Sequence, residues 1–153
     1  MCGIAGAVDL SGRRAFPEER LLKMTGALAH RGPNDEHIHL EPGLALGVRR
    51  LSVIDVANGR QPLSNETGDV WVAYEGELYD YPEIRAKLLA RGHRLATRCD
   101  TEAWVHLYED QGEACIRQAL GQFGLSLWDR QQRTLFLARD RSGISPQIGR
   151  AHV

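Results

Sequence analysis

Phe123-Gly124-Leu125-Ser126-Leu127-Trp128, then Asp129-Arg130-Gln131-Gln132-Arg133, then Thr134-Leu135-Phe136-Leu137-Ala138: two β-prone apolar runs flank a polar connector. That pattern predicts an antiparallel hairpin. Upstream of it lie two helical stretches. One runs from about Pro82 to Ala90, with Gly92 as its stop. The other starts after Asp100, read as its N-cap, and runs through Trp104, Val105, Leu107 and Tyr108 to Gly112. A short helix is expected around Glu113 to Leu120. Further upstream, Val70-Trp71-Val72-Ala73-Tyr74 is rich in β-formers, and His37–Leu40, Leu44–Val48 and Leu51–Ile54 also read as strands. Cys2 to Val8 reads as a buried strand at the very N-terminus. Pro17 opens a helix with Leu21, Met24, Thr25 and Leu28 on one buried face, and Gly32-Pro33 ends it. Antiparallel strands with segregated helices predict an α+β layered domain.

The chain has 153 residues, one domain at the usual ~150 residues per domain. Its 19 Lys+Arg and 20 Asp+Glu give a net charge of −1, which argues against a nucleic-acid binder. No stretch approaches the ~20 apolar residues that span a bilayer, and the N-terminus lacks a basic leader region. No membrane partner is therefore expected. Three cysteines imply no disulfide framework, so a cytoplasmic setting is expected.

Cys2 is the first candidate for chemistry. A small residue after Met1 favours removal of the initiator methionine, which would leave Cys2 with a free α-amine. Such an amine has a pKa near ~7.7–8.0 and can take the thiol proton, placing nucleophile and base on one residue. Position alone also fits an ordinary buried cysteine.

The surrounding motifs decide between the two. Cys2-Gly3-Ile4-Ala5-Gly6, His30-Arg31-Gly32-Pro33, Arg49-Arg50-Leu51-Ser52-Val53-Ile54-Asp55, Gln61-Pro62-Leu63, Gly76-Glu77-Leu78-Tyr79 and Asp100-Thr101-Glu102 occur in that order. Together they resemble the N-terminal glutaminase domain of glutamine-hydrolysing asparagine synthetases, which are class II (N-terminal nucleophile) glutamine amidotransferases. Ala29–Pro33 and Leu125–Arg130 are worded most like bacterial members, among them the exosortase-associated subgroup.

The resemblance implies a four-layer αββα sandwich over residues 1–147, truncated at its C-terminus. It implies L-glutamine as substrate and Cys2 as the nucleophile that forms a glutamyl thioester. Arg50 would hold the substrate carboxylate, which suits its planar fork. Leu51 and Val53 would add backbone contacts. Asp100 would receive the substrate ammonium group, Glu77 would help at the same end, and Gly76 would donate its N–H to the oxyanion. The partner would be a C-terminal synthetase domain that uses ATP and Mg²⁺ to amidate aspartate. No cofactor is expected in residues 1–153, and a homodimer is compatible with the resemblance. His30 is expected to orient a loop near the pocket. His37, His39, His93 and His106 have no metal-ligand spacing with Cys99 or Cys115, so no metal is expected.

Two departures stand out. Glu75 occupies the position where the family usually has asparagine, whose amide donates to the oxyanion. An ionised Glu75 only accepts, and its charge opposes the intermediate. A glutamine-binding module without turnover, or an inactive fragment, therefore stands as the alternative. The end of the chain departs too. The family continues for some tens of residues before its synthetase domain, whereas Ile148–Val153 has no apolar pattern and reads as a non-native tail.

Overall fold

The computed structural model describes residues 2–52, 55 and 58–151. Its elements follow in chain order: β1 (Gly3–Val8), α1 (Glu18–Gly26), β2 (Asp35–Glu41), β3 (Leu44–Arg50), β4 (Leu63–Ser64), β5 (Val70–Leu78), α2 (Tyr81–Ala90), α3 (Asp100–Gln111), a 3₁₀ turn (Gly112–Arg117), β6 (Gly121–Asp129) and β7 (Thr134–Arg139). The strands form two antiparallel sheets, ordered β1-β3-β2 and β4-β5-β6-β7.

Alternation along each strand explains the layering. Leu44, Leu46 and Val48 of β3 point at the second sheet, where Ala73 and Trp128 meet them; Cys2, Ile4 and Val8 pack at the margin. The opposite face of the second sheet presents Val72, Tyr74, Leu78, Leu125 and Leu127 to Ile84 and Leu88 of α2 and to Ala103, Trp104 and Leu107 of α3. α1 covers the outer face of the first sheet. A Cβ on Gly47 would lie 2.5 Å from Cγ2 of Thr25, so only glycine lets α1 sit this close. The result is helix, sheet, sheet, helices, the expected αββα order.

Trp104 is fully buried and packs against Phe123 (4.9 Å between ring centroids) and Tyr74 (5.8 Å). This aromatic cluster pins α3 to β5 and β6. Truncating such a side chain to alanine costs about 3–5 kcal/mol. Its consequence for function is positional, because α3 begins with Asp100.

Several expectations need correction. β1 is half-buried, because it is the edge strand of its sheet. Met24 is exposed: α1 rests on a narrow stripe centred on Leu21 and Thr25, and Met24 falls beyond its margin. Leu51 and Ser52 are irregular, since the strand ends at Arg50; the rest of that expected strand lies outside the described residues. Asp100 is not an N-cap. Cys99 holds that position without a side-chain capping bond, and Asp100 is the first helical residue.

Candidate active site

The cleft forms where β1 starts, β3 ends and α3 begins. Gly3 pairs with Arg49, so Cys2 stands across from Arg50, one residue beyond the last pair. Both residues fall on the face that looks toward the second sheet. Glu75 on β5 has the same parity as Ala73 and looks back at them. The cavity holds about 170 Å³ and is lined by Cys2, Arg50, Leu51, Glu75, Gly76, Glu77 and Asp100, among others. A cavity of roughly 150 Å³ accommodates benzene, so the space suits a small molecule on the scale of an amino acid.

The cleft thus gathers every described site residue expected from the sequence. Val53 lies outside the described residues. His30 does not line the cavity and is exposed.

Cys2 Sγ sits 3.4 Å from the backbone N–H of Leu51, a donor that favours the thiolate. Burial nonetheless pushes the thiol above its ordinary value; the nearby Glu75 charge adds to the rise, and Leu51 N–H and Arg50 oppose it.

Arg50 is buried, which removes its reading as a surface strand arginine. Its guanidinium donates to the Asp55 carbonyl at 2.9 Å and lies 3.7 Å from the Asp35 carboxylate. Asp35 is its cross-strand neighbour on β2.

Asp100 is buried and also lines the cleft. Its Oδ2 accepts from the Tyr74 hydroxyl (2.9 Å) and from the Leu78 backbone N–H (3.1 Å). Tyr74 is held protonated by its burial and by the Asp100 charge. Glu77 is pushed up by burial and by Asp100, the signature of two carboxylates sharing a space.

Gly76 has φ +147°, and a Cβ there would lie 2.1 Å from the Gln122 carbonyl oxygen. No other residue fits this crossing without moving β6.

Glu75 is buried, and its carboxylate pairs with the Arg31 guanidinium. Arg31 Nε also donates to the Cys2 carbonyl at 3.0 Å. One arginine thus ties the cleft wall to the nucleophile's own backbone. Its place beside the Gly32-Pro33 break marked it only as part of a motif.

Gln61, likewise part of a motif, has a defined task. Its Oε1 accepts from the Tyr74 N–H (2.7 Å), and its Nε2 donates to Thr101 (3.0 Å). It bolts the 59–62 loop to both β5 and α3.

Cys99 and Cys115 are free and buried; burial pushes the Cys115 thiol up to about 11, and it takes no part in the cleft. The expectation of no metal rested on spacings to these cysteines. Among the described residues the fold brings His93, His106 and Glu109 within reach of one point, a grouping that spacing to cysteine does not detect.

Comparison with known proteins agrees with this geometry. The glutamine amidotransferase domain family matches residues 1–150. Asparagine synthetase [glutamine-hydrolyzing] 2 of Bacillus subtilis (strain 168) is 40% identical over 148 residues, covering 95% of this chain and 20% of that protein. Asparagine synthetase [glutamine-hydrolyzing] 2 of Oryza sativa subsp. japonica is 34% identical over 146 residues, covering 95% and 24%. The chain therefore spans about a fifth to a quarter of these relatives and aligns with their N-terminal glutaminase portion. Among solved structures, an allosteric regulatory enzyme of purine biosynthesis superposes with a TM-score of 0.59 at 20% identity, over 94% of this chain and 32% of that one. Glutamine phosphoribosylpyrophosphate amidotransferase from B. subtilis superposes with a TM-score of 0.55 at 23% identity, over 69% and 25%. Sequence and fold lead to one assignment: the chain belongs to the glutamine amidotransferase domain family.

Proposed function

We propose that the chain is the glutaminase half of a glutamine-hydrolysing asparagine synthetase, with Cys2 as its nucleophile. The observation that carries this reading is the convergence of Cys2, Arg50 and Asp100 on one amino-acid-sized cavity. Arg50 would take the α-carboxylate of glutamine and Asp100 its α-ammonium, with Glu77 supporting the ammonium end. Fixing both ends of the backbone aims the side-chain amide at Sγ.

The Cys2 α-amine takes the thiol proton, and sulfur attacks the amide carbon. The tetrahedral oxyanion would be met by the Gly76 N–H. Collapse expels ammonia, which carries the proton delivered by the amine, and leaves a glutamyl thioester. Water then hydrolyses the thioester to glutamate and regenerates the thiol. Met1 lies outside the described residues, and the mechanism requires its removal. An intact mass that retains Met1 ends this reading.

ATP and Mg²⁺ would serve the amidation of aspartate in the remainder of the longer protein. Three carboxylates line the present cleft beside Arg50, a set that suits a zwitterion and repels a triphosphate.

The test is glutamate and ammonia release from glutamine, with Cys2→Ala as control. Hydroxylamine should trap a glutamyl adduct in the unsubstituted chain and none in the variant. A second reading, glutamine binding without turnover, is favoured by Glu75, which offers no donor where the family has an amide. Calorimetric glutamine binding with no glutamate formed would select it.

A further inference from the structure

Away from the cleft, a second group of polar side chains gathers at the far end of α3. His93 follows α2, while His106 and Glu109 stand at i, i+3 on α3. His106 Nδ1 lies 2.9 Å from Glu109 Oε2, and His93 Nδ1 lies 3.5 Å from the same oxygen. The two imidazole centroids are 4.9 Å apart.

The other polar atom of each of these side chains looks away from that point. His93 Nε2 is 3.0 Å from Asp110 Oδ1, and Arg91 holds Asp110 at 2.8 Å. Glu109 Oε1 accepts from Asn65 Nδ2 at 2.7 Å. His106, 1% exposed, has no hydrogen-bond partner for Nε2 among the described residues, and that atom faces Glu102 Oε1 at 3.9 Å. The Asp110 carboxylate at His93 Nε2 favours the tautomer that carries its proton there and leaves Nδ1 free to ligate. His93 Nδ1 and His106 Nδ1 thus meet at one oxygen of Glu109, where a bound cation would take the place of the proton shared between His106 and Glu109.

We propose that His93 Nδ1, His106 Nδ1 and Glu109 Oε2 bind a divalent transition-metal ion of the zinc type, with one coordination position open. Metal–nitrogen bonds of about 2.0–2.1 Å at tetrahedral angles place ligand atoms roughly 3.3 Å apart. The two distances to Glu109 Oε2, 2.9 and 3.5 Å, bracket that value, and all three ligand atoms lie within 4.8 Å of one another. Two imidazoles and one carboxylate suit zinc, cobalt or nickel better than calcium or magnesium. Asp110, 3.0 Å from His93 Nε2, supplies the carboxylate–histidine contact that orients such a ligand. The proton competes for the same place: burial disfavours a charged His106, but Glu102 and Glu109 outweigh it and raise its affinity for a proton. The ion would tie the α2–α3 connection to the helix whose first residue is Asp100.

The experiment is a Co²⁺ titration of the untagged chain by visible absorption, repeated with Zn²⁺ by calorimetry. One equivalent should bind with the intense visible bands of a tetrahedral site and without thiolate charge transfer. Glu109→Gln and His93→Asn, both at side chains that are not fully buried, should each weaken binding at least about tenfold. Zn²⁺ should raise the melting temperature of the parent chain and lose that effect in both variants. No saturable binding, thiolate bands, or equal affinity in the variants (an adventitious ion only) overturns the proposal. None of these readouts uses glutamine, so they stand apart from the glutaminase reading.

Discussion

Glu75→Asn perturbs the cleft wall twice, and the two effects have opposite signs. The substitution removes the partner of Arg31. Losing one member of a buried pair costs about 3–5 kcal/mol. The Arg31 side chain is 22% exposed, so water takes up part of that loss and about 2–3 kcal/mol remains. At about 2–4 °C per kcal/mol for a domain of this size, the melting temperature should fall by about 4–12 °C. Meanwhile an amide donor appears where the oxyanion forms. Such a donor contributes about 10²–10³ in rate, or ~2.7–4 kcal/mol. A negative charge that holds the Cys2 thiol up also disappears. Glutamate release, read by a coupled dehydrogenase assay, should therefore rise at least about 100-fold in the less stable protein. A folded variant that turns over no faster than its parent would refute the oxyanion reasoning. An unchanged melting temperature would refute the weight given to the Arg31 pair.

Asp100→Asn keeps an acceptor for Tyr74 and Leu78 but removes the charge meant for the ammonium group. Its glutamine KM should rise about 10–100-fold at unchanged melting temperature, consistent with one charge-assisted bond of ~1.5–3 kcal/mol. Arg50→Lys should weaken glutamine binding by a similar factor in calorimetry, because an ammonium cannot make the bidentate contact; equal affinity would remove Arg50 from the site. Gly76→Ala should lower the melting temperature sharply, with at least about 1–3 kcal/mol lost to backbone strain and collision with β6. Iodoacetamide alkylation of Cys2 depends on the thiolate. Because burial raises this thiol, the reaction should be slower near neutral pH than for a free cysteine and accelerate through a higher pH midpoint. A midpoint at or below ~8.5 contradicts that sign.

The layers were legible wherever apolar alternation was regular. The Phe123–Ala138 hairpin appears as β6 and β7, and Pro82–Ala90 as α2 within one residue. Leu51 and Ser52 misled because β-prone residues follow Arg50, yet Leu51 is committed to the thiol through its backbone. Asp100 misled because an acid before a helix looks like a cap, while Tyr74 and Leu78 had already claimed its carboxylate. Site residues were read through motif order, which names positions but not partners. Nothing local to Arg31 or Glu75 announces that they meet across the cleft, 44 residues apart. His93 and Glu109 were equally invisible as a pair, since only the α2–α3 turn brings them together.

The pairing of β1 with β3 makes the position of the nucleophile a matter of counting. Cys2 faces the cleft because an odd number of steps separates it from Ala5 and Ala7, which turn toward the opposite side of the sheet. Deleting one residue inside β1 would rotate the thiol away from Arg50 and into the α1 layer, although every side chain needed for the chemistry would still be present. An insertion between Asp9 and Arg14, by contrast, lies in a connection that can lengthen without changing that parity. Tolerance to insertions and deletions should therefore change abruptly at Val8, and a scan of single-residue deletions across this boundary would trace the strand's register as a step in alkylation and turnover.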